Sequence, residues 1–291
     1  MQPESIAPVR PVIPAMRWVL LAGCVLVFLA GLQLYVFSTH TYDYFAWTIS
    51  APLTAAFLGA FYWTAGVLAF FSSREPTWVR ARIGVGGVFL FVTLTLVTTL
   101  LHTDRFHFNN SEGTATVAAW AWLLTYIVEP VVLLLAIGLQ LRTPGIDPPD
   151  RRPLPSWFRV VLLLQGLAVL AVGVDLFVAP ATRGSLWAWP LTPLTARAIA
   201  AWLVGMGVIA LQAAWENDWV RTKPGLYSYV VLVVLQLIAL ARYSDTVDWS
   251  SLQAWLFAAY LGTMLVTSTY GSIRARQAAL ETSRWQPVPI S

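Results

Sequence analysis

The chain has 291 residues, 58% of them hydrophobic and 11% charged, with a mean hydropathy of +0.67 and a formal charge of +4. Soluble domains spend about a quarter of their residues on Asp, Glu, Lys and Arg, so the composition excludes a secreted, a disordered or a nucleic-acid-binding chain and leaves an integral membrane protein, with the lipid bilayer as its first partner and no nucleic acid among its partners. The single cysteine, Cys24, excludes an intramolecular disulfide and a four-cysteine zinc site.

A bilayer core of about 30 Å takes about 20 apolar residues in a helix. Runs of that length predict eight transmembrane helices over 18–38, 51–71, 83–102, 117–140, 158–179, 194–214, 225–242 and 252–271, an all-α integral membrane protein. The first run, Trp18 to Phe37, is too long for a signal-peptide core and no small-x-small site follows it, so it counts as a span. Gln33 lies near its outer end, and Trp47 precedes the second span, which opens on Pro52-Leu53-Thr54-Ala55. The third ends in His102-Thr103-Asp104-Arg105-Phe106-His107. His40, His102 and His107 share this face, but the spacing of His102 and His107 fits no helical metal-ligand pair; solvated interfacial residues are the better reading, and no metal or cofactor is expected.

The fourth span carries Glu129 near its middle, followed by Pro130, which disfavours helical geometry at Glu129 and predicts a kink. An ionisable residue at that depth costs at least about 2.5 kcal/mol on insertion scales and marks function by default. In a low dielectric such a carboxyl serves as a neutral acid or a proton carrier. After a stiff linker over 143–156 with Pro144, Pro148, Pro149, Pro153 and Pro155, the fifth span bears Asp175 one turn from its outer end. Trp189 precedes Thr192-Pro193, an N-cap followed by proline at the first helical position. Arg197 lies in the first turn of the sixth span, Trp202 further along it, and Arg242 closes the seventh; ion pairs of Asp175 with Arg197 or Arg242 are expected at this level.

Of the 18 basic residues, 14 fall on one side of these spans and only Arg105, Arg183, Arg197 and Arg242 on the other. The positive-inside rule then places both termini in the cytoplasm, in a multi-pass protein of the cell membrane. The basic balance is largely a topology signal, and tryptophans cluster at both edges as an aromatic belt.

The chain also repeats itself. A shift of 142 brings Arg10-Pro11 onto Arg152-Pro153, Arg17 onto Arg159 and Ala46-Trp47 onto Ala188-Trp189. A shift of 141 then brings Pro52-Leu53-Thr54-Ala55 onto Pro193-Leu194-Thr195-Ala196, Glu75 onto Glu216, Trp78-Val79-Arg80 onto Trp219-Val220-Arg221 and Asp104 onto Asp245. The reading is two parallel four-helix repeats, 10–142 and 157–272, joined by the linker 143–156 and followed by a cytoplasmic tail over 273–291. An even number of spans per copy makes the repeats parallel, related by a pseudo-twofold axis along the membrane normal. Gly59, Gly66, Gly205 and Gly207 are placed to let helices approach closely. The charged Trp-anchored stretches after Glu75 and Glu216 read as interfacial turns.

What remains unexplained by topology is a small set of polar and aromatic residues. Gln33, Trp47, Glu129, Asp175, Trp189, Trp202, Arg197 and Arg242 are the candidate ligand-binding residues of an outward-facing cavity between the repeats, in a module that binds or transports a small lipophilic or anionic ligand. Two alternatives stay open: a membrane-embedded enzyme acting on a lipid or isoprenoid with Glu129 as general acid, and a structural membrane subunit.

Overall fold

The computed structural model describes residues 8–109, 113–148 and 151–284; Glu112, two linker residues, Pro149 and Asp150, and the tail beyond Arg284 lie outside them. Among the described residues there are eight long helices: α1 Pro14–Gly31, α2 Pro52–Arg74, α3 Val85–Leu101, α4 Gly113–Arg142, α5 Ser156–Val178, α6 Pro193–Glu216, α7 Trp219–Arg242 and α8 Leu252–Arg284. Short helical turns join them, and no strand occurs among the described residues. Six of the eight, α1, α2, α4, α5, α6 and α7, are long and apolar enough to cross a membrane. The protein is therefore an all-α, multi-pass membrane protein.

The helix starts follow from local chemistry. Proline occupies the first turn of α1, α2 and α6, where its missing N–H costs nothing and its fixed φ is already helical. Thr192 closes a capping box with Thr195 at the head of α6. Asn217, in the left-handed conformation at φ 48°, ends α6, and the Asp218 carboxylate accepts the N–H groups of Val220 and Arg221 to start α7. α4 runs unbroken through Pro130 and α7 through Pro224. α8 continues to Arg284, so the described part of the tail is helical.

Two helices form the centre. Of the apolar windows of α2 and α6, 72% and 83% are buried, against 11% and 22% for α1 and α4, which turn most of their surface outward. α1 packs on α2 and α5 on α6, while α3 crosses α6 and α7 crosses α2; α4 flanks α3 and α1, and α8 flanks α7. The α3–α6 crossing is tight because Gly87 and Gly205 face each other: a Cβ on Gly205 would stand 2.8 Å from the Gly87 carbonyl oxygen. The last turn of α1 widens into a π-turn over Leu32–Val36 that lays Tyr35 on Gly59, where a Cβ would meet the Tyr35 nitrogen at 2.6 Å. Between the two central helices Trp202 is stacked by Phe61 at 5.5 Å and by Phe91 at 3.6 Å, so aromatic rings fill this space.

One end of the molecule is basic and cross-braced. The Arg10 carbonyl accepts the Trp78 N–H, and the Arg152 carbonyl accepts the Trp219 N–H. Glu75, after α2, pairs with Lys223 of α7 at 2.6 Å, while Glu216, at the end of α6, pairs with Arg82, before α3, through both carboxylate oxygens at 2.5 and 2.9 Å. Arg221 adds a third contact to Glu216 at 3.4 Å. The linker is tied down here too, through Asp147 to Arg82, the Pro148 carbonyl to Arg221, and the Arg152 and Leu154 N–H groups to Asp218 and Asn217.

Candidate functional site

α1, α2 and α4 enclose a cavity of about 180 Å³, lined by Gln33, Phe45, Tyr62, Trp122, Thr125, Tyr126 and Glu129 among others. A smaller cavity of about 50 Å³ lies nearer the basic end, between α1, α2, α3 and α4, and Glu129 lines that one as well. The carboxyl therefore sits at the wall shared by two spaces stacked along α1. It has no hydrogen-bond or ion-pair partner among the described residues. Its neighbours are in part fixed by others: the Tyr62 and Tyr126 hydroxyls bond each other at 2.8 Å, and the Trp122 N–H donates to the Thr99 hydroxyl at 3.0 Å. Gly23 of α1 stands opposite, where a Cβ would lie 3.8 Å from Glu129 Oε1, so the facing helix leaves the carboxyl room.

Of the residues singled out by sequence, the structure brings Gln33 and Glu129 to this one cavity and distributes the rest. Gln33 donates to the Tyr44 carbonyl at 2.9 Å. Trp47 is buried, packed edge-on against Trp122 at 4.9 Å and tilted against Phe45 at 4.6 Å, its indole N–H without a partner among the described residues. Trp189 donates to the Thr54 hydroxyl at 2.9 Å and so ties the segment before α6 to α2. Trp202 belongs to the aromatic stack between α2 and α6.

The charges near the opposite, histidine-bearing end are spent on other partners. Asp175 pairs with Arg183 at 2.8 Å, with both side chains about half exposed, and not with Arg197 or Arg242. Arg197 donates to the Phe177 carbonyl at 3.2 Å and to His102 Nε2 at 2.8 Å. Arg242 donates to the Tyr35 carbonyl at 3.2 Å and lies over the Tyr243 ring. Both guanidinium groups thus satisfy carbonyls that a helix end leaves open, the ordinary place for a cation. The histidines do not converge: His107 bonds the Thr48 hydroxyl and the Phe45 carbonyl, His40 bonds Thr39, and His102 bonds Arg197.

The ion pairs of the basic end are what sequence reasoning missed. Glu75 and Glu216 read as interfacial turns, yet they are 6% and 3% exposed and each holds a cation from the other half of the chain. The signal that marks them is their shared sequence spacing. Glu75 and Glu216 are 141 residues apart, and so are Arg82 and Lys223. No known protein family, no curated protein and no solved structure matches this chain.

Proposed function

We propose that the chain is a binding or transport module built from two parallel four-helix units, α1–α4 and α5–α8, with eight membrane crossings and both termini on the basic, cytoplasmic side. The reciprocal pairs Glu75–Lys223 and Arg82–Glu216 support this architecture, because a twofold relation makes residue i of one unit contact j of the other while j contacts i. The straps from Arg10 to Trp78 and from Arg152 to Trp219 are equivalent contacts, one within each half of the chain. In this reading α3 and α8, the two helices outside the six long apolar ones, cross as the third helix of the first unit and the fourth of the second.

The binding site lies inside the first unit, around Glu129, and not on the axis between the units, where Phe61, Phe91 and Trp202 leave little space. Its ligand is a small lipophilic molecule with a positive charge or a hydrogen-bond donor. An unpartnered carboxyl favours such a group, and the rings of Phe45, Tyr62, Trp122 and Tyr126 suit an apolar cation. An anionic ligand fits less well, since Arg197 and Arg242 are held by helix-end carbonyls. The single observation that carries the reading is the Glu129 carboxyl, unpaired among the described residues and bordering both cavities.

The test is binding of a fluorescent lipophilic cation to the full chain in lipid nanodiscs. Glu129→Gln is expected to weaken binding at least about tenfold, the effect of losing one charge-assisted contact, while thermal unfolding stays at or above that of the native chain because an unpaired acid in an apolar span is gone. Equal affinity for the two proteins would overturn the assignment.

A further inference from the structure

Among the described residues, Val27 and Glu129 are the two that line both cavities along α1. The two spaces differ in what they admit. The larger, at about 180 Å³ and ringed by aromatic side chains, has room for a small organic ligand. The smaller, at about 50 Å³, is too small for one. It does have room for water, since one molecule needs about 10–15 Å³. Its side chains are apolar except at Glu129 and Ser72. Ser72 stands at the basic end of α2, 2% exposed, and its hydroxyl has no hydrogen-bond partner among the described residues.

The groups around Glu129 decide what can neutralise it. α1 faces the carboxyl with Gly23, and the neighbouring Cys24 gives its thiol to the Gly66 carbonyl at 3.4 Å. α2 contributes Tyr62 and α4 contributes Tyr126, two hydroxyls bonded to each other at 2.8 Å. α3 lines the smaller cavity with Val85 and Val88 only. No Asp, Lys, Arg or His lines either cavity among the described residues. An ionised carboxylate in such walls has no counter-charge and is costly. One positive charge at a time answers it, either a cationic ligand or a proton.

On the reading of Glu129 as a cation site, we infer that the ligand displaces a proton from this carboxyl and that the two use separate routes. The cation enters the larger cavity, and the proton leaves by water through the smaller one, past Ser72, toward the basic end. The exchange balances: a protonated carboxyl and a cation become a carboxylate–cation pair, and the O–H proton passes to water. A cation seated in the larger cavity closes that side to water, so the smaller cavity is the way out. Binding from one side thereby releases a proton toward the other.

The probe is benzyltrimethylammonium, a quaternary cation with no proton of its own, titrated into the full chain in lipid nanodiscs. Calorimetry in buffers of different ionisation enthalpy counts the protons. Release of up to one proton per bound cation is expected, with affinity falling up to about tenfold per unit of pH on acidification, the slope of one proton competing for one site. Glu129→Gln is expected to bind weakly, with no proton release and no pH dependence. Ala69→Leu, which fills the smaller cavity from α2, is expected to keep the affinity while cation association and proton release slow together at least about tenfold. Ser72→Ala, which removes the hydroxyl and keeps the space, is expected to slow them less. Saturable binding with no proton release and a pH-independent affinity overturns the exchange and leaves the cation site standing. Absence of saturable binding overturns both. Native kinetics in both Ala69→Leu and Ser72→Ala overturn the smaller cavity as the proton route.

Discussion

At the scale of single residues, His102 shows how a charge beyond the end of an apolar helix sets a pH response. It follows α3, and its Nε2 accepts from Arg197, which requires the neutral ring. Burial and then the Arg197 charge push its pKa below the ordinary value of 6.5; Asp104 acts the other way and Arg105 adds to the lowering. A histidine whose folded pKa is depressed favours the fold when neutral. That contribution is whole above the unfolded pKa and is lost as pH falls through the folded value. His102→Gln, whose amide oxygen accepts from Arg197 at any pH, is therefore expected to show a shallower fall in Tm between pH 7 and pH 5 than the native chain. Coincident slopes would show that His102 is not linked to folding. Glu129 belongs to this scale as well: it was legible from sequence because a carboxylate in an apolar run stands out without any knowledge of its neighbours.

At the scale of helices, the bounds were legible where capping chemistry is local. The expected spans 51–71 and 194–214 correspond to Pro52–Arg74 and Pro193–Glu216, each opened by its proline. The seventh span was expected to begin at 225, because Arg221, Lys223 and Pro224 resemble a loop; α7 instead begins at Trp219. Those charges are tolerated in a helix because Glu216, Glu75 and the Pro148 carbonyl take them up, and such partners cannot be read from local spacing. The same pairs differ in depth. Glu216 holds two guanidinium groups, and the Arg221 side chain is 4% exposed, whereas Lys223, at 21%, has water within reach of its flexible stem. Glu216→Gln is expected to cost about 3 kcal/mol, in line with breaking a buried pair, and to lower Tm more than Glu75→Gln. Equal small losses from the two would mean that the network adds nothing to stability. The candidate cavity was only partly legible: Gln33 and Glu129 meet in it, while Asp175, Arg197 and Arg242 found partners that depend on how helix ends face one another.

At the scale of the whole molecule, the distribution of basic residues makes a claim about orientation that is independent of any ligand. A phosphatase reporter fused after Arg284 is expected to be inactive and one placed near Glu112 active, because only the second is exported under the positive-inside rule. The reverse pattern would invert the proposed topology.

The crossed ion pairs have a consequence for what half of this chain amounts to. Glu75 and Arg82 lie in the first half, and Glu216 and Lys223 in the second, so either half alone carries an acid and a base in the positions needed to clasp an identical copy of itself. In the proposed two-unit reading, the chain takes the form of a homodimer whose subunits share one polypeptide. In that reading the clasp is kept twice, while each unit's interior is at liberty to differ from the other's.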